Sequence, residues 1–270
     1  LHTAYRRQRQ MCIRDSYLMA SRLKPNTIST YMRMLRSIYN RGVDMHQAPY
    51  VHGLFRDVFT GVDTRQKKAI PIGELHMLLN KDPQSEKLRR TQAIANLLFQ
   101  FCGMPFSDLA HLEKSNLERG LLKYNRTKTG TPMSIEVLES AQNAIGGLYN
   151  KSDARSSGYP DYLFRILSGA YKRNEEGAYR EYQSALRRFN NELKSLSRKL
   201  RLHSPVTSYT LRHSWATTAK YRGVPIEMIS ESLGHKSIKT TQIYLKGFEL
   251  EERTKVNKLN YSYVCNFKML

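Results

Sequence analysis

Apolar residues recur at helical spacing over most of this chain, and only one stretch alternates. Ile28, Tyr31, Leu35, Ile38 and Tyr39 fall on one face of a helix over residues 17–47, with Pro25 suited to its first turn and Arg33, Arg36 and Arg41 on the opposite side. The text from Gly61 to Ala69 is polar and basic, so residues 63–70 read as a linker, with Pro71 marking a fresh start. Residues 71–112 are helical, carry an apolar face of Ile94, Leu97, Leu98 and Phe101, and are interrupted at Gly103-Met104-Pro105 before a short helix through Asp108 to Leu112. Between residues 117 and 137 the period changes. Leu121, Leu122 and Tyr124 form one strand, and Met133, Ile135 and Val137 alternate on the next. Lys128-Thr129-Gly130 makes the turn.

Helical text returns from Ile135 to Leu148, and the polar stretch 151–161 is a loop. A long helix is expected from Glu175 to Leu200, burying Tyr182, Leu186, Phe189, Leu193 and Leu196. Shorter helices fit 208–221, 225–233 and 237–246, and the tail 248–260 is charged and helical in pattern. The expected fold is therefore mainly α with a small antiparallel β-sheet. Residues 17–62 would form a partial helical domain and residues 71–270 a larger one. Residues 1–16 carry no usable period and read as a truncated or non-native end.

Charge narrows the class of partner. Lys and Arg number 44 against 23 acidic residues, a net charge of +21. A small-molecule enzyme has no use for such an excess. A polyanion does account for it, and nucleic acid ranks above a membrane surface. No apolar run approaches the roughly 20 residues that span a bilayer. The three cysteines, Cys12, Cys102 and Cys265, are far apart and read as reduced thiols in a cytoplasmic protein, with neither a disulfide framework nor zinc spacing.

The chemistry concentrates in LGHKSIKTTQIYL, where His235 precedes Tyr244 by nine residues. A phenol is a candidate nucleophile, and in so basic a chain the electrophile to consider is a phosphodiester. Cleavage would need cations for the non-bridging oxygens, an acid for the leaving oxygen, and a group to position the nucleophile. No Asp/Glu/His cluster suggests a metal, so Arg and Lys must supply the charge. Arg212 opens a helix in TLRHSW and offers a fork of donors. Lys128, on the hairpin turn, offers a flexible ammonium. Singly, each has an ordinary reading: a surface ion pair, a common turn, a capping histidine, one of 17 tyrosines. Their order along the chain is what gives them weight.

In that order the chain resembles the tyrosine site-specific recombinases of the phage integrase family, and is similar to integrases of Bacteroides-type mobile elements. The likeness covers about residues 20–260 and is most specific in TLRHSWATTAKYRGVPIEMISESLGHKSIKTTQIYL. It implies that Tyr244 forms a 3′-phosphotyrosyl bond to DNA, and that Arg212 is the second arginine of the catalytic set. Lys128 is the general acid, His235 hydrogen-bonds the scissile phosphate, and Asp108 braces the site, with His213 beside Arg212 in support. Two positions depart from the family pattern. Pro105 stands where the first catalytic arginine belongs, with Arg126 the candidate to compensate, and Tyr209 replaces the histidine of His-x-x-Arg. Arg33, Arg36, Lys67 and Lys68 are the expected DNA contacts outside the site.

The resemblance implies double-stranded DNA as partner, no cofactor, ATP or metal, and a homotetramer on paired sites from protomers that are monomeric without DNA. It also implies a nucleoid-associated bacterial protein. The tail after Phe248 would dock on a neighbouring protomer, or pack in cis as an ordinary helix. Of the helical core-binding domain that family members carry ahead of the catalytic domain, only the last helices are expected here. Two rivals remain: a type IB topoisomerase-like relaxing enzyme, and a recombinase relic that binds DNA without cutting it.

Overall fold

A computed structural model describes residues 17–18, 20–58, 60–61, 69–151 and 159–245, and a few positions between 254 and 262. The chain divides into two compact units, Leu1–Gln66 and Lys67–Leu270.

In the first unit, α1 (Pro25–Asp44) opens with proline in its first turn. Its buried stripe is Ile28 and Met32, packed with Val58 and flanked by Leu35. Tyr31 and Ile38, expected in that stripe, are 48% and 67% exposed. Among the described residues the helix is covered along one narrow side, the row at i, i+4 and i+7 that starts at Ile28. The Tyr39 hydroxyl accepts from Val51 N–H at 2.7 Å and donates to the Pro49 carbonyl at 2.9 Å, pinning the turn that follows the helix. Arg33 and Arg36 are exposed.

The second unit is built around α3 (Glu86–Gln100), which packs against α2 (Ile72–Asn80), α5 (Glu139–Leu148), α6 (Glu176–Lys199) and α7 (Ser208–Tyr221). Leu97 and Leu98 are wholly buried, as the periodicity predicts, and Phe101 nearly so. The core continues through Leu78, Ala141, Phe189, Leu193 and Leu196. Short α4 (Phe106–Ala110) leads into a three-stranded antiparallel sheet of β1 (Leu117–Glu118), β2 (Leu121–Asn125) and β3 (Pro132–Glu136), in that order. Leu122 faces Ile135 across the β2–β3 pair, and both are buried. Ile135 thus belongs to the strand, and the helix expected from that residue begins only at Glu139.

Residues 159–167 insert Tyr162, Leu163, Phe164 and Leu167 into the core, tied by bridges Glu113–Tyr162 and Tyr149–Phe164. No local period announces this stretch, because its partners are distant in sequence. A smaller apolar cluster of Ala216, Ile229, Leu233 and Leu245, with Trp215 beside it, binds α7 to α8 (Ile226–Ser232) and α9 (Ile238–Tyr244). The expected helix over 248–260 falls mainly outside the described residues. Of the positions described there, Thr254, Asn257–Leu259 and Tyr261–Ser262 are helical.

Candidate active site

Two interruptions in the helical text place backbone carbonyls where arginines need them. After α3 the chain passes through Cys102 and Gly103 in left-handed geometry, φ 55° and 64°. The Gly103 carbonyl then accepts from Arg212 Nη1 at 2.9 Å. The second interruption follows α8, where Leu233 and Gly234 turn the chain toward His235. Gly234 has φ 63°, and a Cβ there would lie 2.4 Å from Arg126 Cδ. Glycine is required by both the backbone angle and the close approach.

Arg212 sits on α7, whose start is fixed by reciprocal bonds: Thr210 N–H donates to Thr207 Oγ1 at 3.2 Å, and Thr207 N–H to Thr210 Oγ1 at 2.8 Å. Arg212 is only 6% exposed and Arg126, at the end of the β2–β3 hairpin, only 7%. Both guanidiniums donate to the Leu233 carbonyl, Arg212 Nη2 at 2.6 Å. Arg126 Nη1 also reaches the Gly234 carbonyl at 3.2 Å. Behind it the buried Asp108 carboxylate accepts from Arg126 Nε at 3.2 Å, from Thr127 N–H at 3.2 Å, and from Ser107 Oγ at 3.3 Å. A buried guanidinium without such a partner would be costly, and Asp108 supplies the opposite charge.

His235 stands next to this pair. Its Nε2 is 3.3 Å from Arg212 Nη2 and its Nδ1 is 2.8 Å from Thr241 Oγ1. Burial first, then the charges of Arg212, Arg126 and Lys128, push the imidazole down to about 4. It is therefore neutral at neutral pH.

These groups line a cleft of about 710 Å³. Arg126, Arg212 and His235 reach it from the hairpin, α7 and the loop before α9, Lys128 stands exposed on its rim, and Tyr209 lines it from the first turn of α7. Pro105 contributes from just before α4, Ser107 from α4, Tyr182 and Asn190 from α6, and Thr240 from α9. Cations from the hairpin (Arg126, Lys128) and α7 (Arg212), set among neutral polar side chains around an open cleft, suit a substrate with a compact negative charge.

Residues 72–250 match the family model described as the phage integrase family. The chain belongs to the phage integrase family. Among curated relatives, a probable integrase/recombinase of Methanocaldococcus jannaschii is 28% identical over 204 residues, which is 73% of this chain and 58% of that protein. The tyrosine recombinase XerD of Halalkalibacterium halodurans is 30% identical over 190 residues, 67% of this chain and 57% of that protein. The chain thus spans somewhat over half the length of these relatives. Among solved structures, the Tn1549 transposon integrase in complex with circular intermediate DNA has a TM-score of 0.65 at 15% identity, covering 96% of this chain and 86% of that one. A lambda integrase tetramer bound to a Holliday junction has a TM-score of 0.61 at 14% identity, covering 90% and 66%. At such identities the likeness establishes the integrase fold.

Of the residues singled out in the sequence, Arg212, Lys128, His235, Arg126 and Tyr209 come together in the cleft, with Asp108 directly beneath Arg126. Tyr244 is the last residue of α9, the helix that brings Thr240 to the cleft. His213 is buried in α7 and does not line the cleft, because it lies one residue on from Arg212 and so about 100° around the helix. Lys67 and Lys68 lie outside the described residues, and Arg33 and Arg36 belong to the first unit. Sequence reasoning missed Ser107, the carbonyls of Gly103 and Leu233, and the role of Thr241. Only the doubled threonine before Tyr244 hinted at the last. Among the described residues no group of His, Cys, Asp and Glu is arranged to hold a metal ion, and no helix is long and apolar enough to cross a membrane.

Proposed function

We propose that this chain cuts and rejoins double-stranded DNA as a site-specific recombinase, through a 3′-phosphotyrosyl intermediate at Tyr244. One observation carries the reading: two buried arginines, Arg126 and Arg212, meet on the Leu233 carbonyl beside His235, at an open cleft rimmed by Lys128. Two guanidiniums held this way are a preorganised clamp for the non-bridging oxygens of a phosphodiester.

In this mechanism the Tyr244 phenol gives its proton to water in the open cleft as its oxygen attacks phosphorus, the bond to the 5′-oxygen breaks, and Lys128 protonates the leaving oxygen. Arg212 and Arg126 hold the charge that develops, and His235 donates to the phosphate. Asp108 fixes Arg126, which takes the place left by Pro105, and Tyr209 offers a hydroxyl in place of the family's histidine. His213 supports Arg212 from within α7. Rejoining reverses the steps with a 5′-hydroxyl as nucleophile. The bond energy kept in the phosphotyrosine accounts for rejoining without a cofactor, ATP or metal.

The charge of +21 supports a DNA partner, with Arg33 and Arg36 on the first unit and Lys67 and Lys68 in the linker as further phosphate contacts. Residues 17–62, within the first unit, serve as a helical core DNA-binding segment. Four protomers act on two sites, coming together from monomers only on DNA, and the C-terminal tail links neighbours. The biological task is integration or excision of a mobile element of Bacteroides type, in the cytoplasm at the nucleoid.

A duplex nicked next to the cleavage point tests the chemistry, because loss of the short strand traps the covalent product. Wild-type protein becomes attached to the duplex and Tyr244→Phe does not. If neither attaches to a duplex shown to be bound, the chain binds DNA as a relic. Relaxation of supercoils by a monomer without sequence preference would instead mark a topoisomerase-like enzyme.

A further inference from the structure

Thr241 is wholly buried on α9, three residues before Tyr244. Its hydroxyl lies 2.8 Å from His235 Nδ1, while His235 Nε2 lies 3.3 Å from Arg212 Nη2. A guanidinium can only donate. In this contact Nε2 must therefore accept, the ring proton sits on Nδ1, and Nδ1–H donates to Thr241 Oγ1. The depressed imidazole, at about 4, agrees with a neutral ring.

To donate to a phosphate, the ring needs the opposite tautomer. Nε2 must carry the proton and Nδ1 must accept. A carboxylate or carbonyl beside Nδ1 could serve only the first arrangement, and a backbone N–H only the second. A hydroxyl serves both, because it rotates between accepting and donating.

We propose that Thr241 is a positioning residue whose hydroxyl stays bonded to His235 Nδ1 in both tautomers, so that Nε2 accepts from Arg212 in the empty cleft and donates to the scissile phosphate when DNA is bound. One proton leaves Nδ1 and one arrives at Nε2, exchanged through water in the open cleft, and the ring stays neutral throughout. The same bond ties the histidine to the helix that ends in Tyr244, so the phosphate partner and the nucleophile share one anchor. The phosphate half of this proposal rests on the strand-cleavage reading above, whereas the Thr241 bond does not.

The test is ¹⁵N–¹H long-range correlation of histidine-labelled protein. In the free protein His235 shows Nδ1–H. Bound to a nicked duplex selected from a randomised pool, in the Tyr244→Phe background that cannot attach, it shows Nε2–H. Thr241→Val, equal in shape but unable to accept, keeps the tautomer that Arg212 sets but leaves Nδ1–H without an acceptor, so the Nδ1 proton signal of the free protein moves upfield. In the Tyr244 background it slows covalent attachment about 10- to 100-fold, taking the loss seen when a metal-ligating histidine loses its hydrogen-bond partner as the measure. Thr241→Ser restores both. A ring that keeps Nδ1–H on the bound duplex overturns the proposal, as does Thr241→Val with the wild-type Nδ1 proton signal and rate. Failure of wild-type protein to attach to a bound duplex overturns the cleavage reading and the phosphate half with it. The Nδ1 proton signal of the free protein, compared with that of Thr241→Val, still decides the Thr241 bond.

Discussion

Gly234→Ala isolates the geometry that holds the clamp. At φ 63° an alanine pays the left-handed penalty of about 1–2 kcal/mol. The added Cβ would also stand 2.4 Å from Arg126 Cδ and 2.7 Å from Met133 Sδ. Carbon atoms rest about 3.5–4 Å apart, so Arg126 must retreat by about 1 Å. The methionine is flexible and can move aside. Arg126 is held at its far end by Asp108 and by two carbonyls, so it cannot retreat without loosening them. Breaking a buried ion pair outright costs about 3–5 kcal/mol. A partial loss should add about 2–4 kcal/mol to the backbone penalty. Gly223→Ala is the internal control: its φ is 77°, yet nothing stands within 4 Å of the new Cβ. Urea unfolding at pH 7 should therefore show Gly234→Ala the less stable of the two by about 2–4 kcal/mol at unchanged m-value. Covalent attachment to a nicked duplex should slow about a hundredfold or more in Gly234→Ala, the usual effect of losing one donor from a charge-stabilising site. Equal stability of the two variants within about 0.5 kcal/mol would refute the claim that Arg126 is wedged against Gly234.

Two further outcomes follow from the site. Lys128→Ala should slow cleavage of an ordinary duplex far more than cleavage of one with a 5′-sulfur leaving group, which needs no protonation; equal slowing of both removes Lys128 from the acid role. His235, held at about 4 against 6.5 in an unfolded chain, makes stability depend on acid. Between these values the unfolded state binds the extra proton, so the contribution is complete above about pH 6.5 and is lost as pH falls toward 4. Melting temperature should drop from pH 7 to pH 5 more steeply in wild type than in His235→Gln. Parallel profiles would show that His235 is not held neutral by the fold.

Much of the architecture is written in local pattern. The 3.6-residue period of α3 and α6, the prolines that open α1, α2 and α8, and the turn residues between β2 and β3 depend on neighbours a few positions away. They can be read without knowing the fold. The ordered set Lys128, Arg212, His235, Tyr244 likewise suggests the chemistry proposed above, because each carries a reactive group in its own side chain.

What needed the tertiary structure was whatever depends on residues far apart in sequence. The exposed side of α1 at Tyr31 and Ile38 reflects which row the first unit covers. The 159–167 segment is core only because Leu112 and Leu148 receive its backbone hydrogen bonds. Arg126 was one cation among 44 basic residues until folding set it against Asp108, Leu233 and Gly234. Nothing in the Thr240-Thr241 pair sets Thr241 apart until His235 is placed beside it. Sequence declares which groups can react. Which of them share a partner, and which tautomer or charge they must therefore hold, is decided by packing, since a hydrogen bond forms over about 3 Å and takes no account of distance along the chain.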